Sequence, residues 1–263
     1  MNVCFTCDGN YLRALEIAVY SLLDNYSDKC FIHIVKCSDF NEETIRRACS
    51  VYDADVCFYE FKPELKATGR FTSSVYARLY LDEILGKDID TVLYLDCDLV
   101  VQADIAKIFE LQLNGYCLAA VSDIGDSYTR NFKRHNALAG YFNAGVLLLN
   151  MKMMREDGVF KSARGEFAHG NKYLDQDMLN LAVGDRWLAL DEIYNYMRPD
   201  VCPAASVIHF AHCKPWEFFS YNKNKFLYFN YSESFVTDTA DMKMNFQIKR
   251  VVRNFIKLIL GWV

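Results

Sequence analysis

The chain has 263 residues, 52% of them hydrophobic, and a formal net charge of −5. This length and composition suffice for one large α/β domain or two small ones with a sizeable buried core. A general nucleic-acid-binding protein needs a broad cationic face to displace counterions from phosphates. The acidic balance therefore argues against nucleic acid as a partner.

The ten cysteines are scattered, mostly through apolar runs, and this placement is typical of small core residues. Cys4 and Cys7 form the one closely spaced pair. Without a second pair or a nearby histidine, they make a weak zinc or redox motif. The N-terminus carries no secretory signal pattern, so we expect a reduced, cytoplasmic setting.

The first part of the chain alternates strand-like and helix-like runs. Strands are predicted at residues 3–6, 31–35 and 56–61 and in the run ending at Asp96, and helices at 11–23, 42–51 and 74–85. This order is typical of parallel βαβ units, whose ligands gather at the carboxyl ends of the strands. Further strands are predicted at 118–122 and 145–150. The polar segment 123–140 between them is predicted to be a functional loop.

The last segment, residues 242–263, differs in composition from the rest of the chain. It holds five cations and no acid, and its apolar residues recur at helical spacing. This pattern predicts a basic amphipathic helix on an anionic membrane surface, too short and too charged to span a bilayer. The alternative is a last helix that packs its apolar stripe on the domain. We therefore divide the chain into a domain, residues 1–241, and a tail, residues 242–263, and expect the protein on the inner face of the cell membrane.

Two carboxylates, Asp96 and Asp98, interrupt the apolar run 93–101. The run predicts a strand buried on both faces, and unpaired carboxylates at its end carry a desolvation cost that a divalent cation offsets. Hard oxygen ligands select Mg²⁺ or Mn²⁺, which usually keep phosphates in their shell. Alternatively, these aspartates cap the helix starting near Ile105 or turn the chain. The motif also matches that of the haloacid-dehalogenase-like phosphohydrolases.

Six segments, in order, resemble glycosyltransferase family 8, the retaining sugar transferases of the GT-A fold that include bacterial lipopolysaccharide galactosyl- and glucosyltransferases. The resemblance covers residues 1–216 and rests on FTCDGNY (5–11), YARL (76–79), YLDCD (94–98), YFNAGV (141–146), DQDMLN (175–180) and HF followed by KPW (209–210 and 214–216). It implies a mixed, mostly parallel sheet flanked by helices. The dehalogenase alternative expects its aspartates nearer the N-terminus.

The resemblance implies a metal site formed by Asp96, Asp98 and His209. A divalent ion there would neutralise the diphosphate of a nucleotide sugar, and a histidine ligand favours Mn²⁺, with Mg²⁺ as the second choice. A histidine in an apolar run is also an ordinary core residue. Because the segment between His209 and Lys214 is one residue shorter than is common in the family and lacks glycine, His212 is an alternative ligand.

The resemblance also implies which residues bind the donor. Asp8 would accept a hydrogen bond from the uracil, Asn10 would contact the ribose, and Arg78 and Lys214 would hold the phosphates and sugar. The sugar pocket would be lined by Asn143 and Ala144, within a glycine-containing turn, and by Asp175 and Gln176. The full predicted donor-binding set is Thr6, Asp8, Asn10, Tyr11, Arg78, Asp96, Cys97, Asp98, Asn143, Ala144, Asp175, Gln176 and Lys214.

The candidate catalytic residues are Gln176 and Asp175. Retention of configuration usually implies a covalent intermediate on a carboxylate, whereas the family position facing the reacting carbon is the amide of Gln176. Three routes stay open: attack by Gln176, attack by Asp175, or entry of the acceptor on the face that the diphosphate leaves.

The sequence therefore predicts a retaining, metal-dependent transferase. It would move galactose or glucose from a UDP-sugar to a glycan or lipid-linked saccharide acceptor in bacterial surface polysaccharide or lipopolysaccharide assembly. The alternatives are a dehalogenase-like phosphohydrolase and a non-catalytic glycan-binding protein.

Overall fold

The structure is a computed structural model that describes residues 1–26, 28–62, 73–166 and 172–235. The segment 242–263, predicted to be a basic amphipathic helix, lies outside the described residues. The strands are β1 Asn2–Cys7, β2 Phe31–Lys36, β3 Asp55–Glu60, β4 Thr91–Leu95, β5 Leu99–Val101, β6 Leu118–Ser122, β7 Phe142–Asn150, β8 Trp187–Ala189 and β9 Val207–His209.

Seven of these strands form one sheet in the order β3-β2-β1-β4-β7-β6-β8. Strands β1 to β4 run parallel to one another, β8 is parallel to β6, and β7 is antiparallel to both of its neighbours. The sheet is therefore mixed and mostly parallel, as predicted. A second, two-stranded sheet pairs β5 with β9.

Helices cover both faces of the large sheet. The helices are α1 Leu12–Asn25, α2 Glu43–Val51, α3 Leu81–Ile84, α4 Ala106–Phe109, α5 Ser127–His135, α6 Met151–Glu156, α7 Val159–Gly165, α8 Asp175–Val183 and α9 Lys225–Phe235, with 3-10 helices at Gly9–Tyr11, Ser73–Tyr80 and Glu192–Tyr194. Successive strand residues point to opposite faces. Leu93 accordingly packs in the cluster that includes α1 and α2, and Tyr94 in the cluster that includes α7 and α8.

The strand predicted to end at Asp96 is β4, which ends at Leu95. The rest of the apolar run 93–101 forms a separate strand, β5, which begins at Leu99 in the other sheet. Backbone hydrogen bonds hold both ends of the connection between β4 and β5, from Asp96 N to Gly145 O (2.8 Å) and from Phe210 N to Asp98 O (2.9 Å). Asp96 and Asp98 therefore lie in the connection between two sheets.

Three other elements differ from their predictions. Strand β7 begins at Phe142, so Asn143 and Ala144 lie in a strand rather than in a turn, because the Asn180 side chain bonds both the N–H (2.9 Å) and the C=O (3.0 Å) of Phe142. The predicted loop 123–140 contains α5, whose first turn is capped by Asp126. The predicted helix 74–85 is a 3-10 helix followed by the short α3, and its buried run at 76–81 lacks an exposed face.

Candidate functional site

A cavity of about 630 Å³ opens at the carboxyl ends of β1 and β4, a size typical of small-molecule sites. Every predicted site residue except Asn10 lines it: Thr6, Asp8, Tyr11, Arg78, Asp96, Cys97, Asp98, Asn143, Ala144, Asp175, Gln176, His209 and Lys214. The Asn10 side chain is exposed, and its backbone N–H donates to Asp8 Oδ1 (3.0 Å).

Asp96, Asp98 and His209 place one ligand atom each within 4.8 Å of the others. Nε2 of His209 lies 3.3 Å from Oδ1 of Asp98 and 3.7 Å from Oδ2 of Asp96. Two carboxylates and one imidazole suit a divalent cation such as Mn²⁺ or Mg²⁺. Across the described ranges, no other group of three His, Cys, Asp or Glu side chains has this geometry. His212 lines the same cavity but does not belong to the group.

The pairing of β5 with β9 brings His209 to the aspartates. In this small sheet Leu99 lies opposite His209, so the histidine is adjacent to Asp98 although more than a hundred residues separate them in the chain. This position of the His209 imidazole also requires a glycine at 145, because a Cβ on that residue would lie only 2.2 Å from Cε1 of His209. The imidazole therefore packs directly on the backbone of β7.

Lys214 lies beside this triad. Its ammonium donates to Oδ2 of Asp98 and to the carbonyl oxygen of Phe210 (2.9 Å). Burial raises the pKa of Asp98, but the Lys214 ammonium, by its charge and its hydrogen bond, outweighs burial and holds that pKa well below its usual range. Asp98 is thus ionised at neutral pH, with a lysine cation next to the place where an anionic ligand can enter.

Arg78 joins the two carboxylate groups of the cavity. Its Nη2 donates to Asp96 Oδ1 (2.7 Å), its Nη1 donates to Ala144 O (2.5 Å), and its Nε lies 2.7 Å from Asp175 Oδ2. The guanidinium carbon lies 4.5 Å from the centroid of the Tyr94 ring. Burial lowers the pKa of Arg78, but Asp175 and Asp96 raise it further, so the guanidinium stays charged. Arg78 is therefore buried at the floor of the site, not on the surface of a helix.

Asp175, at the start of α8, has an unusual carboxyl group. Burial raises its pKa to about 6 against the opposing charge of Arg78, and repulsion from Asp96 adds to the rise. A carboxyl that titrates near neutral pH is typical of functional sites.

The side-chain amide of Gln176 is fully engaged. Its Oε1 accepts from Asn143 Nδ2 (3.1 Å) and from the backbone N–H of Ala144 (3.0 Å). Its Nε2 donates to the Tyr141 hydroxyl (3.2 Å) and to Oδ2 of Asp123 (3.3 Å). A carbonyl oxygen has two lone pairs, so these two donors occupy both.

The other end of the cavity is formed by the turn after β1. Asp8 Oδ2 accepts from the Ser74 hydroxyl (2.9 Å), and the backbone N–H of Gly9 donates to Ser38 Oγ (2.7 Å). The Tyr11 ring lines the cavity, is 39% exposed, and meets Trp216 edge to face, with the centroids 5.9 Å apart. An exposed aromatic ring at a cavity wall provides a surface on which a planar ligand can stack.

Among the residues of the site that were not predicted are Asp123, Tyr94 and Asn195. Asp123 lines the cavity directly after β6, and it follows a strand end as Asp96 does, so the same reasoning could have found it. Tyr94 lies two residues before Asp96, and strand periodicity places both on one face; its hydroxyl bonds Asp96 Oδ1 (3.0 Å). Asn195, which contacts His209 (2.9 Å), follows a short 3-10 helix and had no signal in the sequence.

Comparison with known proteins identifies relatives of the chain. The model of Glycosyl transferase family 8 matches residues 2–219. Glycosyltransferase GlyF of Streptococcus pneumoniae is 29% identical over 255 residues, which cover 88% of this chain and 61% of GlyF. Lipopolysaccharide 1,2-glucosyltransferase of Escherichia coli is 28% identical over 215 residues, which cover 74% of this chain and 62% of that relative. The chain thus spans about three fifths of the length of these two relatives.

Solved structures share the fold. A crystal structure of an active-site mutant of LgtC superposes with a TM-score of 0.80 at 23% identity and covers 91% of this chain and 98% of LgtC. GlyE of Streptococcus pneumoniae superposes with a TM-score of 0.72 at 24% identity, and the superposition covers 99% of this chain and 63% of GlyE.

No helix in the described part of the chain is long and apolar enough to cross a membrane. The family match and the GT-A fold decide against a dehalogenase-like phosphohydrolase. Because the family model covers most of the sequence, and the shared fold agrees with it, the chain belongs to glycosyl transferase family 8.

Proposed function

We propose that this protein is a retaining, metal-dependent glycosyltransferase. It transfers galactose or glucose from a UDP-sugar to a glycan or lipid-linked saccharide acceptor in the assembly of bacterial surface polysaccharide or lipopolysaccharide. The observation that carries the proposal is the Asp96, Asp98 and His209 triad, with Lys214 beside it in one cavity. Two relatives support it by name: a lipopolysaccharide 1,2-glucosyltransferase, and the galactosyltransferase LgtC, solved with donor and acceptor sugar analogs.

The proposed cofactor is Mn²⁺, with Mg²⁺ as the alternative. Asp96 and Asp98 would supply its oxygen ligands and His209 a nitrogen, and this mixed donor set favours the softer ion. When bound, the ion neutralises the negative charge that develops on the leaving diphosphate.

Lys214 would act together with this site. Its ammonium donates to Oδ2 of Asp98, while Oδ1 of the same carboxylate faces His209 Nε2. A cation held at Oδ1 would draw charge from this carboxylate and weaken its hold on the ammonium, which would then bind the donor diphosphate, as lysines do in many phosphate sites. Metal and nucleotide binding are therefore expected to be coupled.

Arg78 and Asp175 would orient the sugar end of the donor. The guanidinium ties Asp175 to Asp96, so both carboxylates are held in fixed positions, where they would lie next to the reacting carbon. The Gln176 amide oxygen accepts two hydrogen bonds, and Asp175 is ion-paired with Arg78, so both are weakened as nucleophiles. We therefore favour attack by the acceptor on the face that the diphosphate leaves, with the leaving phosphate as base. The protein then contributes positioning and charge stabilisation.

The nucleotide would bind at the opposite end of the cavity. Asp8 would accept a hydrogen bond from the uracil, held in place by Ser74, and Tyr11 would stack on the base. The proposed contact of Asn10 with the ribose requires its exposed side chain to turn toward the cavity.

Residues 242–263 are proposed to bind an anionic membrane surface and to place the enzyme peripherally on the inner face of the cell membrane, near a lipid-linked acceptor. Their five cations and apolar stripe support this. Deleting this tail should move the protein from the membrane fraction to the soluble fraction and leave donor hydrolysis intact. Unchanged fractionation would contradict the membrane proposal.

Titration calorimetry with UDP, with and without Mn²⁺, tests the central claim. We expect UDP binding that requires Mn²⁺ and is lost in Asp98→Ala. The control is Asp55→Ala. Asp55 lies at the amino end of β3, opposite the end of the strands where the cavity opens, so this variant should bind UDP as the wild type does. UDP binding that ignores Mn²⁺ would contradict the metal site.

Mn²⁺-dependent hydrolysis of a panel of UDP-sugars then identifies the donor. A folded protein that shows no metal-dependent UDP binding would instead favour the non-catalytic glycan-binding alternative.

A further inference from the structure

We propose that Asn195 is a positioning residue that fixes the tautomer of His209 and links the metal triad to Gln176. The inference rests on the proposed function, because it concerns the same metal site. Asn195 directly follows the 3-10 helix Glu192–Tyr194 and is completely buried. It does not touch the proposed ligand position itself; it acts through the histidine.

Four side chains form a continuous line of hydrogen bonds across the floor of the cavity. His209 Nδ1 lies 2.9 Å from Asn195 Oδ1, and Asn195 Nδ2 donates to Asn143 Oδ1 (2.9 Å). Asn143 Nδ2 in turn donates to Gln176 Oε1 (3.1 Å). The line therefore runs from the metal triad to the candidate catalytic amide, and all four residues are buried.

Two backbone N–H groups determine which way these amides point. The N–H of Ala144 donates to Gln176 (3.0 Å), so the atom of Gln176 that faces it is the oxygen. The N–H of Gly145 donates to Asn143 (2.9 Å), so the atom of Asn143 that faces it is also the oxygen. A backbone N–H is always a donor, so these two assignments do not depend on the side-chain amides.

The orientation of Asn195 follows from these assignments. Because the oxygen of Asn143 must receive a donor from Asn195, the NH₂ group of Asn195 faces Asn143 and its oxygen faces His209. An oxygen cannot donate here, so Nδ1 of His209 must carry a proton. The histidine tautomer is thus determined by two peptide groups of β7, through two asparagines.

The consequence is a histidine prepared for a cation. With its proton on Nδ1, the neutral ring directs the lone pair of Nε2 at Asp98 Oδ1 (3.3 Å) and Asp96 Oδ2 (3.7 Å). Three groups of electron-rich atoms so close together repel one another unless a positive charge lies between them. Metal-binding histidines commonly donate their second N–H to an oxygen acceptor, which orients the ring and raises its basicity. Asn195 supplies that acceptor.

Nitrogen-15 NMR of the histidine rings in metal-free and Mg²⁺-loaded protein tests the tautomer in the wild type. His209, identified by its absence in His209→Ala, should carry a proton on Nδ1 in both states. A His209 ring without a proton on Nδ1 would overturn the inference, whether or not the protein binds metal.

Substitutions test the positioning role, with Mn²⁺ affinity measured by electron paramagnetic resonance of the free ion. Asn195→Ala removes the acceptor and should weaken Mn²⁺ binding by about tenfold or more. Asn195→Asp keeps an acceptor for Nδ1 but places an oxygen against Asn143 Oδ1. It should bind Mn²⁺ at least as tightly as the wild type and lose turnover, because the link to Gln176 is broken.

The control is Asn150→Ala, which removes an asparagine that bonds three backbone groups at the far end of β7. It should lower the melting temperature without changing Mn²⁺ affinity. If Asn195→Ala also lowers only the melting temperature, Asn195 is merely structural and the inference is wrong. If Asn195→Ala does not fold, Asn195→Asp decides the question. Mn²⁺ binding that is weakened tenfold in Asn195→Asp, or turnover that is unchanged in it, overturns the inference. A wild type that binds no Mn²⁺ contradicts the proposed function instead, and the tautomer test still stands.

Discussion

Replacing Gly145 with alanine tests the geometry of the metal triad without touching a ligand. The added Cβ would lie 2.2 Å from Cε1 and 2.7 Å from Nδ1 of His209, whereas ordinary contact begins at 3.4 Å. The imidazole must therefore move by about 1.2 Å, the difference between 3.4 and 2.2 Å. Metal–ligand distances tolerate about 0.2 Å. We expect Mn²⁺ affinity to fall by about tenfold or more and stability to fall by about 1–3 kcal/mol, the usual cost of overpacking.

The assay combines Mn²⁺ titration with denaturant unfolding. Gly165→Ala is the control, because a Cβ at this last residue of α7 meets no atom within 4 Å. It should leave Mn²⁺ affinity unchanged and raise stability by up to about 1 kcal/mol. In a His209→Ala background the cost of Gly145→Ala should fall sharply, because the clashing ring is gone and only Asn143 Oδ1, 3.0 Å from the added Cβ, stays close. Wild-type Mn²⁺ affinity in Gly145→Ala, or an undiminished stability loss in that background, would refute the reasoning.

Three further predictions concern the charged groups of the cavity. Arg78→Lys should lower kcat by about tenfold or more in steady-state assays, because one ammonium cannot replace a guanidinium that holds Asp96, Asp175 and a carbonyl together; an unchanged kcat would contradict this. The pKa of Asp175 lies near 6, and its ion pair with Arg78 needs the ionised carboxylate, so kcat/KM should rise as the pH increases through about 6. A midpoint of this pH profile near 4 would argue against burial of the carboxyl. In calorimetry, Lys214→Ala should weaken UDP binding by about tenfold or more without weakening binding of Mn²⁺ alone, since the lysine competes with the ion for Asp98; weaker Mn²⁺ binding would show that it does not.

Local patterns in the sequence predict much of the fold and of the site. Strand β6 matches its prediction at both ends, and β1 and β2 match within a residue or so. These strands carry continuous apolar runs between polar turns, so periodicity identifies them. Asp96 and Asp98 are recognisable because carboxylates stand out in an apolar run. The cavity at the carboxyl ends of parallel strands follows from the same pattern.

The errors have a common cause. Strand β7 starts at Phe142 because a side chain from α8, Asn180, completes its first hydrogen bonds, and no local signal reveals a partner so distant in the chain. The run 93–101 divides because β5 pairs with β9 and not with the large sheet. In both cases a long-range pairing overrides a local preference.

The sequence by itself determined the α/β alternation, the carboxylate pair and the edge of the sheet where ligands gather, because these depend on residue type and short-range periodicity. Only the tertiary structure decided that His209 rather than His212 faces the aspartates, that Lys214 occupies Asp98, and that Asn195 orients the histidine. These contacts join residues that lie far apart in the chain. Their geometry is set by strand pairing and by the direction of single hydrogen bonds, which a linear pattern does not encode.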